Sequence, residues 1–187
     1  MNKDSTKIAT FALQYYINSF MPTKTLLKDR LEFITVAAQL TLFLEKATEE
    51  ENRQFAPQLS KLLATLYLKT SLLSFSGDEW EEDPERVVSE IDYERIRAAV
   101  ADRLGEYDDY LTVFHPEMQY SDTPIAVTIS EDIADIYQEL KDFLYNCSLG
   151  DEEVMHNALL FCLSAFRSHW GRKLLNALSA LHSVIYN

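Results

Sequence analysis

Apolar residues recur every three to four positions through most of this 187-residue chain. That spacing places them on one face of an α-helix, because a helix completes a turn about every 3.6 residues. Only 4 glycines and 5 prolines interrupt the pattern, too few for a chain rich in turns. The sequence predicts an all-α, single-domain bundle of about six helices over residues 1–187, near 5–20, 24–47, 57–75, 84–104, 131–148 and 151–185.

Residues typical of helix ends mark several of these boundaries. Gly105 and Gly150 each follow a periodic segment, where a glycine commonly ends a helix. Asp83, Ser130 and Asp151 each precede such a segment, and each is predicted to cap its first turn. These residues set where the fourth, fifth and sixth helices are expected to begin or end.

The C-terminal helix is unusually long for a chain of this size. At about 1.5 Å per residue, 151–185 spans about 50 Å, whereas a compact domain of this length is about 40 Å across. The helix must therefore project or bend. Gly171 is the only glycine inside it and is expected to mark a bend or a close backbone approach.

Two connections stand out between the predicted helices. Residues 77–83 are strongly acidic and are expected to form a solvated connector. The longer connection, 106–129, contains two stretches of alternating character, Tyr110–Phe114 and Ile125–Ile129, that can pair as a small hairpin. Because about ten residues with two prolines separate them, we expect an ordered loop packed by its own aromatic side chains instead.

The net charge of −13 is unevenly distributed. Residues 77–153 contain 23 acidic and 5 basic residues, whereas 154–187 contain 3 basic and no acidic ones. An acidic surface disfavours binding to nucleic acids and to anionic membranes, which both require positive charge. We expect the basic C-terminal segment to dock against the acidic middle of the chain.

Features of the termini, cysteines and apolar runs indicate a cytoplasmic protein. The N-terminal residues lack the long apolar core of a signal peptide. Cys147 and Cys162 are not spaced as metal ligands and are expected to be buried, reduced thiols. Two long uncharged runs, 33–44 and 154–166, are too short to cross a membrane.

Four carboxylates form a stripe along the fifth predicted helix. Asp132, Asp135, Glu139 and Asp142 follow each other at intervals of three or four residues. Like charges at this spacing repel each other, so cations, a metal ion or water should neutralise them.

The sixth predicted helix lies antiparallel to the fifth if a tight turn near Gly150 joins them. Counting back from that turn, Asp142 should face His156 and Asn157. Asp132 and Asp135 should likewise face polar side chains further along, namely Arg167 and His169, with Arg172, Lys173 and Asn176 beyond them.

Three interpretations of this polar seam remain open. The acidic and basic side chains can form a structural seam of ion pairs, or they can line a groove for a small cationic or polar ligand. In the third, Asp135, Glu139 and Asp142 hold Mg²⁺ or Mn²⁺ near a phosphate-bearing substrate. The third interpretation needs acidic residues from a second helix, and the sixth helix has none after Glu153.

Two segments carry a resemblance to a known family, SEDIADIYQELKDF at Ser130–Phe143 and FRSHWGRKLLNALSALH at Phe166–His182. They resemble an uncharacterised bacterial family of all-helical proteins, described only as a domain of unknown function. The resemblance is looser over Tyr110–Pro116 and the N-terminal helices. It implies an all-α cytoplasmic fold in which the fifth and sixth helices are the defining element, and it supplies no activity or ligand.

Recognisable catalytic, cofactor-binding and metal-binding motifs are missing from the sequence, so we expect no cofactor. The leading prediction is a non-catalytic cytosolic interaction or adaptor protein, whose partner is an unknown protein or a small polar ligand. A homodimer formed through an exposed helix is also open. The alternative prediction is a Mg²⁺- or Mn²⁺-dependent nucleotide or phosphoester hydrolase that uses the acidic stripe.

Overall fold

The computed structural model describes residues 24–47, 54–73, 82–112 and 125–187. These contain α1 (Lys24–Ala47), α2 (Phe55–Ser71), α3 (Glu90–Leu104), β1 (Asp109–Thr112), β2 (Ile125–Thr128), α4 (Ile129–Ser148), α5 (Glu152–Ala165) and α6 (Gly171–Tyr186). The predicted all-α fold with a long C-terminal helix is confirmed. The helix predicted near 5–20 and most of the acidic connector near 77–83 lie outside the described residues.

Helix α4 is the centre of the bundle and packs against α1, α3, α5 and α6. Its apolar stripe, which includes Ile133, Ile136 and Leu140, is fully buried. Helices α1 and α2 pair with each other, and α2 also packs against α6. The basic C-terminal helix therefore docks against the acidic middle of the chain, as its charge predicts.

Three of the predicted helix ends are confirmed by the structure. Gly105 and Gly150 follow α3 and α4, and both have positive φ angles, of 57° and 76°, which glycine adopts at low cost. The carboxylate of Asp151 caps α5 by accepting hydrogen bonds from the N–H groups of Glu153 and Val154.

The caps predicted for α3 and α4 are wrong. Helix α3 begins at Glu90 with Ser89 as its cap, rather than after Asp83. Side chains of α4 bind the backbone of Glu85, Val87 and Val88, and these residues are not helical. Helix α4 is capped by Thr128. Ser130 lies inside the helix, where its N–H and hydroxyl both donate to the buried carboxylate of Asp108.

The connection between α3 and α4 is a β-hairpin over part of its length, so the prediction of a loop throughout 106–129 is wrong. Strands β1 and β2 pair antiparallel, with Asp109 opposite Thr128 and Thr112 opposite Ile125. The bond from Ile129 N–H to the Asp108 carbonyl continues the pairing into α4. The bonds between Asp108 and Ser130 fix both strand ends in place, and residues 113–124 lie outside the described residues.

The long C-terminal helix continues through α5 and α6 by way of a π-helical turn, Phe166–Trp170. The expected close approach at Gly171 is confirmed, since a Cβ atom there would clash with the carbonyl oxygen and the ring of Phe166. Trp170 is fully buried and donates its Nε1–H to the carbonyl of Cys162 at 3.1 Å. The helix interruption therefore coincides with a well-packed part of the core.

Within the four described ranges, no helix is long and apolar enough to span a lipid bilayer. Cys162 is buried and Cys147 is half-buried, and both are free thiols. Burial raises the pKa of Cys147 to about 11 and raises that of Cys162 as well. Both thiols are therefore held in the protonated, unreactive form.

Candidate functional site

The acidic stripe of α4 divides into two pairs of carboxylates with different partners. The N-terminal pair, Asp132 and Asp135, meets side chains from β1, α3 and α6. The Tyr110 hydroxyl donates to Asp132, and the Tyr93 hydroxyl donates to Asp135 Oδ1 at 2.8 Å. The Lys173 ammonium contacts Asp135 Oδ2 and lies 3.6 Å from Asp132 Oδ1, so one cation is shared by two carboxylates.

Burial has opposite consequences for the acid and the base in this cluster. It raises the pKa of Asp132 to about 6, although the Tyr110 hydrogen bond and the Lys173 charge act in the other direction. Burial alone would lower the pKa of Lys173, but the hydrogen bond and charge of Asp135 outweigh it and raise that pKa. Asp132 therefore exchanges a proton close to neutral pH, while Lys173 stays charged.

The C-terminal pair, Glu139 and Asp142, binds a different part of the chain. Arg86 Nη1 lies 3.0 Å from Glu139 Oε1 and 3.1 Å from Asp142 Oδ2. The backbone N–H groups of Val87 and Val88 donate to Asp142 Oδ1 at 2.8 and 3.0 Å. Both oxygens of the buried Asp142 carboxylate thus bind residues 86–88.

Asn146, one turn beyond Asp142, extends this attachment. Its Nδ2 donates to the Glu85 carbonyl at 2.9 Å, and its Oδ1 accepts from the Glu85 N–H at 3.1 Å. The Arg86 guanidinium also lies over the Phe161 ring, 4.9 Å from its centroid, in a cation–π contact. The C-terminal pair, Asn146 and Phe161 therefore fasten the non-helical segment 85–88 to α4 and α5.

An open groove of about 810 Å³ lies between β1 and α6. One wall comes from the turn and strand, and the other from one face of α6. The lining residues are Glu106, Tyr107, Asp109, Tyr110, Leu111, Thr112, Arg172, Leu175, Asn176, Ser179, Ala180, Ser183, Val184 and Asn187. Tyr110 belongs to both features, since it lines the groove while its hydroxyl binds Asp132 and Asn176.

The predicted polar residues are brought together only in part. His169 Nε2 lies 3.9 Å from Asp135 Oδ2 and is more than half exposed, so it sits at the edge of the N-terminal pair. Asp142 binds Arg86, which sequence reasoning did not assign to it.

Four further predicted residues lie on the π-helical turn, α5 and α6, and of these Asn176 joins the N-terminal pair through its hydrogen bond with the Tyr110 hydroxyl. Arg167 is exposed on the π-helical turn, and His156 is half-buried on α5. Arg172 and Asn176 line the groove on α6.

Sequence reasoning missed Arg86, Tyr93, Tyr110 and Asn146. Asn146 had a detectable signal, because it continues the polar stripe four residues after Asp142. The other three come from segments far away in the sequence, and their side chains reach α4 only through the tertiary fold.

No three His, Cys, Asp or Glu side chains in the part of the chain that the structure describes come together as metal ligands. Asp135, Glu139 and Asp142, the trio that the sequence offered for Mg²⁺ or Mn²⁺, is divided between two cations. Lys173 binds Asp135, and Arg86 binds Glu139 and Asp142.

Comparison with known proteins identifies a family and a solved structure. A family model described as "Domain of unknown function (DUF5063)" matches residues 26–187, so the chain belongs to this family. The crystal structure of protein BF1032 from Bacteroides fragilis, a structural-genomics target, is similar, with 40% identity and a TM-score of 0.71. The match covers 86% of this chain and 94% of that one. No curated protein matches the chain.

Proposed function

We propose that this member of the DUF5063 family is a non-catalytic interaction protein of the cytoplasm, which binds a segment of a partner protein in the groove between β1 and α6. The observation that carries the proposal is the groove, with Leu111 and Leu175 exposed to 69% and 45% on its two walls. Exposed apolar side chains beside a groove are typical of protein-binding surfaces.

The chemistry of the groove lining suits binding better than catalysis. Its polar groups are hydroxyls, side-chain amides, two carboxylates from Glu106 and Asp109, and the guanidinium of Arg172. Among the described lining residues there is no cysteine or histidine to serve as an activated nucleophile or as its base. The apolar surface between these groups favours a partner held by shape and hydrogen bonds.

The alternative, a Mg²⁺- or Mn²⁺-dependent nucleotide or phosphoester hydrolase, has less support. Such an enzyme needs several carboxylate oxygens directed at one open point. Here Lys173 and Arg86 occupy the positions between the carboxylates, and the Asp142 carboxylate is buried. We therefore favour binding over hydrolysis.

A displayed library of random peptides tests the groove directly. Leu175→Arg places a charge on the α6 wall, and the matched control Leu149→Arg changes an equally exposed leucine at the turn after α4. We expect the wild type and the control to enrich the same peptides, and Leu175→Arg to lose them. Failure of the wild type to enrich any peptide, or equal enrichment by both variants, would overturn the proposal.

A thermal-shift series with Mg²⁺ and Mn²⁺, each with and without nucleotides, tests the alternative. A ligand that binds only the folded state at 100 times its Kd adds about 2.7 kcal/mol of stability, which such a series detects. We expect no shift. A shift that Asp135→Asn and Glu139→Gln both abolish would favour the hydrolase instead.

A further inference from the structure

The groove runs along an edge of β1. Successive side chains of a strand point to opposite faces of the sheet, so a wall that follows one face would include only alternate residues. Here all four residues of Asp109–Thr112 line the groove. Within the part of the chain that the structure describes, β2 is the one strand paired with β1, so the groove follows the other edge of β1.

That edge offers backbone hydrogen-bonding groups to an incoming chain. In an antiparallel pair, alternate residues of each strand direct their N–H and C=O groups away from the partner strand. The pairing of Asp109 with Thr128 and of Leu111 with Ala126 leaves one alternate set of β1 groups directed toward the groove. Such an edge is a template for strand addition.

The opposite wall leaves room for a strand. Three small side chains on one face of α6, Ser179, Ala180 and Ser183, line the groove across from β1. At about 3.3 Å per residue, β1 can pair with roughly four residues of an extended segment. The groove, with a volume of about 810 Å³, has space for a short extended segment of this length.

The negative charge near this edge of β1 favours a positively charged partner. Asp109 is exposed on β1, Glu106 lies in the turn just before it, and Glu131 is close enough to influence Tyr110. Arg172 is the only cation among the described lining residues, and it lies on the opposite wall. Opposite charges facing each other across two strands are favourable, whereas like charges are not.

We propose that the occupant is an extended, basic segment of a partner protein, which adds to β1 as a third strand and places a Lys or Arg opposite Asp109. Its apolar side chains alternate toward Leu175 and the small residues of α6. This inference rests on the proposed function and specifies the partner class and the binding mode.

The peptides enriched from the random library provide the first test. Strand addition predicts apolar residues at every second position and an excess of Lys and Arg. Groove-dependent peptides with apolar residues spaced by three and four, or with an acidic excess, would overturn this inference and leave the proposed function standing. If no peptide depends on Leu175, both fail.

N-methylation of the best enriched peptide tests the backbone pairing. Only alternate amides of an added strand donate to β1. Methylation of one alternate set should abolish binding, while methylation of the other set should leave it intact. Equal effects of the two sets would overturn strand addition. Amide exchange measured by NMR should show matching protection of alternate β1 residues in the complex.

A charge exchange tests the contact at Asp109. Asp109→Lys should weaken binding of a basic peptide by about tenfold, and a peptide with Glu in place of its central Lys should recover it. Glu152→Lys, on the exposed first turn of α5, is the matched control and should change little. Unchanged affinity in Asp109→Lys would contradict the proposed register. A dimer that appears with concentration and is lost in Leu175→Arg would instead make a second copy of this chain the occupant.

Discussion

The two carboxylate pairs of α4 lie on the same helix face and have the same chemistry, but they serve different parts of the molecule. The C-terminal pair, Glu139 and Asp142, meets a guanidinium and two backbone N–H groups from residues 86–88. The N-terminal pair, Asp132 and Asp135, meets two tyrosine hydroxyls and a shared ammonium group. One pair fastens a chain segment, and the other adjoins the groove.

The difference shows that a regular acidic stripe does not define a single site. Asp142 accepts hydrogen bonds from two backbone N–H groups, and a buried N–H group that loses its acceptor is costly, so this carboxylate has a structural role. The hydroxyls and the ammonium group bound to Asp132 and Asp135 belong to Tyr93, Tyr110 and Lys173, and Tyr110 also lines the groove. The N-terminal pair is therefore where binding and protonation can influence each other.

The largest effect is expected from Asp142→Ala. It removes the acceptor for two backbone N–H groups and one of the two carboxylates that bind Arg86. We expect a loss of about 3–4 kcal/mol in the free energy of unfolding, measured with urea. Glu139→Ala is the matched control on the same Arg86 and should cost about 1 kcal/mol or less, because Arg86 is 43% exposed. An equal loss of unfolding free energy in the two variants would contradict the conclusion that Asp142 is more important for the fold than Glu139.

A smaller effect, and one that depends on pH, is expected at Asp132. Its pKa is about 6 in the folded state and near 4 when unfolded, so folding favours the protonated form. The resulting contribution to the free energy of unfolding is fully present below about pH 4 and is lost as the pH rises through 6. It amounts to about 2–3 kcal/mol. Asp132→Asn should remove that part of the pH dependence between pH 4 and 7, measured by urea unfolding.

Tyr110→Phe sharpens the same experiment. The Tyr110 hydrogen bond lowers the pKa of Asp132, so its removal should move the loss of stability to higher pH. If the Asp132→Asn variant keeps the full pH dependence of the wild type, another group is responsible for it.

The smallest effect is expected from Asp135→Ala, which removes the acceptor of the Tyr93 hydroxyl and one partner of Lys173. Because Lys173 remains 3.6 Å from Asp132, we expect a loss of about 1 kcal/mol. A double-mutant cycle with Tyr93→Phe measures the hydroxyl's share. A loss as large as that of Asp142→Ala would mean that the two pairs are equally structural.

Most of the helical architecture follows from the sequence, because the apolar period and the capping residues act locally. Gly105, Gly150 and Asp151 mark helix ends through their own backbone or side-chain preferences. Residues 84–89 have a predicted helix start at Asp83 but are not helical. Asp142 and Asn146, more than fifty residues later, accept hydrogen bonds from their backbone N–H groups, and these bonds compete with a helix. The local preference of these residues for a helix is therefore outweighed by hydrogen bonds to a buried carboxylate that is distant in sequence.

Of the candidate site, only the residues on α4 and on the C-terminal helix could be predicted from the sequence. The helical period identified the acidic stripe, and the antiparallel arrangement placed His169 opposite its start. It also placed Arg167 there and Lys173 beyond, whereas Lys173 is the cation that binds Asp135. The partners Arg86, Tyr93 and Tyr110 could not be found this way, since no local pattern encodes which distant side chain reaches a given carboxylate. The groove also depends on β1, whose pairing with β2 is fixed by the contact of Asp108 with Ser130.

The π-helical turn before Gly171 has a consequence for how the groove can change among related chains. A π turn holds one residue more than the α-helical turn it replaces. Because this wider turn absorbs the extra residue, loss of one residue from 166–170 would restore an ordinary α-helical turn and leave the later side chains facing as they do now. Loss of one residue near the start of α6 itself would instead rotate every later side chain by about 100° around the axis and turn the groove-lining face away from β1. The groove can therefore survive a one-residue change of length at 166–170 that it would not survive within α6.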